Sequence, residues 1–379
     1  MEKVAATVLL LASLQYLVCK CSREEYWVRP TQSDIICPQK NGMNIITLSD
    51  IVENPSRYFR SNTIIHFCPG THTTNQTTRT PIQPANNTNE LVLTGGAESA
   101  RIIVDCGWNM SFAFQDVTNL TLSGMTFINC GLEIPNDWLG KHVSQWQHIQ
   151  SGTHAALFLR NTSYVLRNVH ILRSNGYGLL GINTIGTSVI IGCSFQYNYW
   201  KIGRSPTKRD QQTLPGGNTF FLLSGVRAKV GVTITISHTE FAHGIEREVQ
   251  GIKASAGGLG FYLSSRSLTL ARVSLLNCTF NNNTASNGGN LIFVTGNHPL
   301  PNVHLHIDSC RFRNGESKSG GGMYLAIDPY TEVSISNAIF DNNAANQAGG
   351  ATYMTISVKQ KALSLRIILQ AMQQQKGLQ

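Results

Sequence analysis

The chain has 379 residues, with 30 Lys and Arg against 21 Asp and Glu, a formal net charge of +9, and only 13% charged residues. It holds 34 glycines and 31 asparagines, a composition that excludes coiled coils and helical bundles, which draw on Ala, Glu, Lys and Leu. The 41% hydrophobic share excludes a disordered chain. The positive balance comes from few acids rather than runs of bases, so no nucleic-acid partner is expected.

In chain order, residues 1–20 read as a signal peptide: Lys3 precedes the apolar run Val4–Val18, which is short for a membrane span. No membrane span is expected beyond that signal. Residues 21–60 are expected to form a small N-terminal cap or leader, and 61–357 a repeating body. The tail, 358–379, changes composition abruptly and reads as a capping helix or an incomplete end. Of nine cysteines, Cys21, Cys37, Cys68, Cys106 and Cys130 lie early and irregularly spaced. Some of them are expected to pair in an oxidising compartment, with connectivity left open.

Internal repetition sets the architecture. The segments NLTLSGMTFINC (119–130), YVLRNVHILRSN (164–175), SVIIGCSFQYN (188–198), ITISHTEFAHG (234–244), VSLLNCTFNNN (273–283), LHIDSCRFRNG (305–315) and VSISNAIFDNN (333–343) align on Phe127, Ile171, Phe195, Phe241, Phe280, Phe312 and Phe340. Five residues earlier stand Leu122, Leu166, Ile190, Ile236, Leu275, Ile307 and Ile335. The alternation has period two, which is a strand with one buried face. After the anchors come asparagines (Asn129, Asn198, Asn282, Asn283, Asn314, Asn342, Asn343), suited to left-handed corners and to amide ladders between stacked turns. Gly-Gly then opens a further strand at 216, 257, 288, 321 and 349. The anchors lie 24 to 46 residues apart, so a constant strand core carries loops of variable length. That pattern predicts an all-β parallel solenoid with loop insertions, and seven such coils at about 4.8 Å each would span about 35 Å.

The FxxN elements FQYN, FNNN and FDNN, each followed by Gly-Gly and apolar residues, resemble the repeats of right-handed parallel β-helix proteins. These include the pectin-lyase-like fold and polymorphic outer-membrane and autotransporter passenger proteins. IIHFCPGTHTT (64–74) resembles the entry strand of that fold and LVLTGGAESARIIVDCG (91–107) its first full coil. Residues 26–59 look like the leader of secreted β-helix proteins of simple marine animals. The resemblance implies a right-handed β-helix; it does not settle function.

Enzymes of that fold need converging carboxylates, a basic proton acceptor, or calcium held by several acids. Asp105, Asp116, Asp308, Asp328, Asp341, Glu240, Glu316 and Glu332 are scattered, with no paired acids. The resemblance implies NTD, GHG and RIK motifs for a galacturonase; AHG (242–244) and GIK (251–253) are faint echoes. No catalytic residue, metal or cofactor is therefore expected. His304 and His306, with Asp308, point outward and read as a solvated strand face rather than a metal site. Cys193, Cys278 and Cys310 share the column two residues before the anchors and read as buried thiols.

Two insertions carry the expected binding residues. One (133–152) holds Trp138 and Trp146, suited to sugar rings or to packing on the body; the other (199–215) holds Lys201, Arg204, Lys208 and Arg209, suited to acidic glycans. Candidate glycosylation sites are Asn75, Asn86, Asn109, Asn119, Asn161, Asn277 and Asn282, the last two bordering a packed turn. The expectation is a secreted or cell-surface, non-catalytic glycoprotein with an adhesion, matrix or glycan-contact role. Its expected partners are extracellular glycans or surface proteins. The alternatives are a polysaccharide lyase or glycoside hydrolase acting on acidic polymers, and a fragment of a larger surface receptor or adhesin.

Overall fold

The structure is a computed structural model. It describes residues 23–31, 37, 43–76, 81–84, 87–95, 101–131, 155–199, 217–224, 231–245, 256–264, 268, 270–296, 300, 302–356, 367–370 and 373–375. Among these, strands build one 20-stranded sheet, one 8-stranded sheet and a two-stranded ribbon, with every strand pair parallel. The 20-stranded sheet supplies two faces of a prism and the 8-stranded sheet the third. Each coil passes through the first face, turns, crosses the second face, turns again and returns along the third. The coil anchored on Phe241 shows the pattern with Val232–Ser237, Glu240–Ala242 and Leu259–Leu263. This is a parallel β-helix, and the crossover rule for parallel strands makes it right-handed.

The aligned columns of the sequence are columns in space. Phe127 pairs with Ile171, Ile171 with Phe195, and the register continues through Phe241, Phe280, Phe312 and Phe340. The rings from Phe195 to Phe340 stack at 5.4, 5.0, 4.7 and 4.8 Å with interplanar angles of 8–11°. Leu122, Leu166, Ile190, Ile236, Leu275, Ile307 and Ile335 form the parallel aliphatic column, each essentially fully buried. In-register stacking sets neighbouring side chains one rung apart, so like rings meet face to face along the axis.

Two left-handed corners turn the chain. Gly124, Asn168, Gly192, His238, Asn277, Ser309 and Asn337 make the first, and Asn129, Arg173, Tyr197, His243, Asn282, Asn314 and Asn342 the second, all with φ between +48° and +65°. Asparagine dominates because its short amide tolerates that conformation. A second set of asparagines lies inside the rod. Asn198 donates to Asn218, Asn218 to Asn283, Asn283 to Asn290 and Asn290 to Asn343, at 2.8–3.1 Å. The same amides donate to the carbonyls of Ile171, Ala242, Phe241, Arg313 and Phe312. These asparagines alternate with glycine coil by coil: Asn198, Gly244, Asn283, Gly315, Asn343 in one column, and Asn218, Gly258, Asn290, Gly322 in the next. A Cβ on Gly244 would overlap the Gly257 carbonyl and reach the Asn218 amide; one on Gly258 would overlap the Asn290 carbonyl. The glycines leave the room that the amides fill.

The stack is longer than the sequence reading of about 35 Å. Glu24–Val28 already lies in the sheet, between Asn44–Ile46 and Thr63–Phe67, so the chain steps back one rung before climbing. A short helix, Leu48–Glu53, follows; Thr47 and Asp50 close its N-terminus with a capping box, and Leu48 and Ile51 are buried against the core. The described part of the tail is strand: Ile367–Gln370 pairs with Val333–Ser336, where the sequence admitted a capping helix. From Asn44–Ile46 to Ile367–Gln370 the first face counts eleven rung spacings, about 53 Å. Disulfides join Cys37 to Cys68 at the N-terminal end and Cys106 to Cys130 between adjacent coils. No helix among the described residues is long and apolar enough to cross a membrane.

Candidate functional site

The three outer surfaces differ in what they offer a ligand. On the third face the outward side chains of the earlier coils are themselves buried: Phe158, Leu180, Phe220 and Leu222 belong to a second apolar cluster outside the main core, while Tyr262, Val294 and Tyr324 further along are half-buried. On the first face the outward columns are mainly Thr, Ser and Val, with charges near the C-terminal end that pair locally. There His304 Nδ1 lies 2.8 Å from Glu332. Asp308 accepts from Ser336 Oγ at 2.6 Å and Asn337 at 3.0 Å, and these bonds hold its carboxyl below the usual range. No cluster of His, Cys, Asp and Glu among the described residues could hold a metal.

The second face presents two polar columns. One runs His170, Ser194, Glu240, Thr279, Arg311; the other runs Leu172, Gln196, Ala242, Asn281, Arg313, Asp341. At their centre Gln196 Nε2 donates to Glu240 at 2.7 Å and to Ser194 Oγ at 2.8 Å. Burial pushes the His170 imidazole below its usual value, against the pull of Glu240. Ser194 sits between the histidine and the carboxylate, whereas a nucleophilic triad places the histidine between the hydroxyl it deprotonates and the acid that orients it, so the trio lacks that order. Arg313 lies 3.7 Å from Asp341.

Beside these columns runs the second corner. Tyr197 and His243, one rung apart, stack with centroids 4.5 Å apart and planes 1° from parallel. Tyr197 is 45% exposed. Arg173 and Asn282 extend the corner on either side, both exposed. The ring faces lie next to amide, hydroxyl, guanidinium and carboxylate groups. That combination of flat apolar surface and hydrogen-bonding rim suits a sugar ring.

Trp138, Trp146, Lys201, Arg204, Lys208, Arg209 and Asn86 lie outside the described residues. The tryptophans fall between the described residues Gly131 and Ala155, and the four basic residues between Tyr199 and Gly217. Among the other sequons, Asn75, Asn109, Asn119, Asn277 and Asn282 are exposed, while half-buried Asn161 donates to Asp116 at 2.9 Å. Asn277 and Asn282 do border packed turns, but they occupy the left-handed corners and face solvent. Tyr197 and His243 escaped the sequence reading, although both stand two residues after an anchor, where a corner residue must point outward.

Among the described residues the carboxylates do not converge. Glu240 and Asp341 are three rungs and two strand positions apart, about 16 Å, and Asp308 and Glu332 are separated by four strand positions and one rung, about 14 Å. Glycosidase pairs sit within about 10 Å. Most of these acids hold the coils together: Asp105 accepts from Gly107 N and Asn129, and buried Asp328 from Leu300 N, Tyr330 N and Thr331.

Cys193, Cys278 and Cys310 are free and buried. Burial pushes the Cys193 thiol up to about 11. The Cys278 thiol and burial together raise Cys310 further. The hydrogen bond from Cys310 lowers Cys278, so it is Cys193 and Cys310 that are inert packing groups rather than nucleophiles.

No family model matches the chain, and no curated protein matches it. Among solved structures, the crystal structure of pectate lyase Pel9A aligns over 89% of this chain and 78% of that one, at 14% identity and a TM-score of 0.41, a likeness too slight to bear on activity.

Proposed function

We propose that the protein is an extracellular, non-catalytic β-helical rod that contacts glycans through its second face. The observation that carries the reading is the stack of exposed Tyr197 on half-buried His243 beside the Gln196–Glu240–Ser194 hydrogen-bond group. Each acid there is engaged by a neighbour, which suits recognition of hydroxyl groups better than proton transfer. The two disulfides agree with an oxidising compartment. Trp138 and Trp146, and Lys201, Arg204, Lys208 and Arg209, belong to segments that follow the described residues Gly131 and Tyr199, just past the second corner in the chain, and the proposal includes them as further contacts.

The test is glycan-array binding by the purified protein, with Tyr197→Ala and His243→Ala compared to the parent and an activity screen on the same polymers. The reading expects each variant to lose at least tenfold in affinity while the fold persists. Unchanged binding, or cleavage of any polymer, contradicts it. Heparin retention that survives Lys201, Arg204, Lys208 and Arg209→Ala removes the basic segment from the proposal.

A further inference from the structure

The corner that carries Tyr197 and His243 continues with a residue of different chemistry. Ala242 pairs with Asn281, so Asn282 stands one rung, about 4.8 Å, beyond His243. Asn282 opens the sequon Asn282-Asn283-Thr284. It is exposed, it has φ +53°, and among the described residues its side-chain amide makes no hydrogen bond. Other amides nearby are engaged: Asn314 donates to Asn281, and Asn283 lies inside the ladder. A left-handed corner turns the Asn282 amide outward, alongside the two stacked rings.

We propose that Asn282 carries an N-linked oligosaccharide whose first sugar lies on the His243–Tyr197 ring pair, so that the protein's own glycan competes with external glycans for that part of the second face. The proposal rests on the extracellular reading above. In the transfer, the Asn282 amide nitrogen attacks the anomeric carbon of a polyprenyl-diphosphate-linked oligosaccharide. The C–N bond forms and the C–O bond to phosphate breaks. The diphosphate leaves with the bonding pair, and the amide proton passes to a base of the transferring enzyme. Packing of the sugar's C–H face on the rings removes apolar surface from water, so the attached sugar stabilises the corner. Asn277 supplies an internal comparison. It opens a sequon on the same coil and is equally exposed, but its neighbour one rung back is His238 rather than a stacked ring pair.

The full chain is secreted from a eukaryotic host, its glycopeptides are mapped by mass, and its glycans are trimmed to the first sugar. Expected are occupancy at Asn282 and a fall in Tm of about 2 °C for Asn282→Gln relative to the trimmed parent, of the size one weak contact gives in a chain this long. Asn277→Gln, which carries only the strain of glutamine at a left-handed corner, falls less, and in the Tyr197→Ala/His243→Ala background the Asn282→Gln fall shrinks to that size. Tyr197 is exposed, so Tyr197→Ala alone keeps the comparison available if the double variant fails to fold. An unmodified Asn282 peptide, with Asn75 or Asn277 occupied, overturns the proposal and leaves the extracellular reading standing. No occupied sequon overturns both. An equal Tm fall with and without the rings overturns the seating of the sugar.

Discussion

Asn283 shows how one side chain can tie several coils together. Its amide donates to Phe241 O and Asn290 Oδ1, and its oxygen accepts from Gly244 N and Asn218 Nδ2. A buried amide with every bond made is stabilising, whereas its removal strands four partners in a place water does not reach. Asn283→Ala is expected to cost about 3 kcal/mol by denaturant titration, against about 1 kcal/mol for exposed Asn342→Ala, which carries only the strain of alanine at a left-handed corner. His72 acts at the same scale. It is fully buried, and its Nε2 faces the Cys68 carbonyl at 2.8 Å. Burial lowers its pKa below the ordinary imidazole value, so the unfolded chain takes the proton more readily. The stabilising effect is therefore complete above the ordinary imidazole range and is lost as pH falls through it toward the folded value. Stability measured from pH 7.5 to 5 should decline for the parent, with a flatter profile for His72→Asn. A steeper profile in the variant would contradict the assignment. The buried-thiol reading was open to sequence because Cys193, Cys278 and Cys310 share one column. Alkylation mapping should find these three labelled only after unfolding, with Cys37–Cys68 and Cys106–Cys130 linked.

At the scale of the element, the inward columns were legible and the outward ones were not. Inward positions must repeat, since each ring or methyl meets its copy one rung away, and so Phe, Leu and Ile recur at fixed offsets from an anchor. Outward positions carry no such demand. Tyr197, His243 and Asn282 occupy equivalent corners with three different side chains, and only the register relates them. The corner asparagines and the ladder asparagines were likewise one class in the sequence; backbone handedness separates them into exposed turn residues and buried amides. The asparagine–glycine alternation has a period of two coils, twice the repeat on which the segments were aligned, which is why the alignment passed over it. Gly258→Ala tests that alternation: its methyl would collide with the Asn290 backbone, and a loss of about 2 kcal/mol or more is expected. Phe280→Ala, in the middle of the ring stack, is expected to cost about 3–5 kcal/mol.

For the whole molecule, the claim on which the rest depends is that successive coils stack in register along one axis. The strand order at the N-terminal end was hidden because Glu24–Val28 inserts between two later strands, an order no linear repeat announces. The most direct test is a spin-label distance series along one exposed column of the first face. Asn119, Thr187 and Glu332 are exposed and fall in that column. Thr187 lies four rungs from Glu332, and Asn119 six, so single narrow distances of about 19 Å and about 29 Å between backbone sites are predicted. Distances that fail to grow by one rung spacing per coil, or broad distributions at both pairs, would contradict the stacked β-helix.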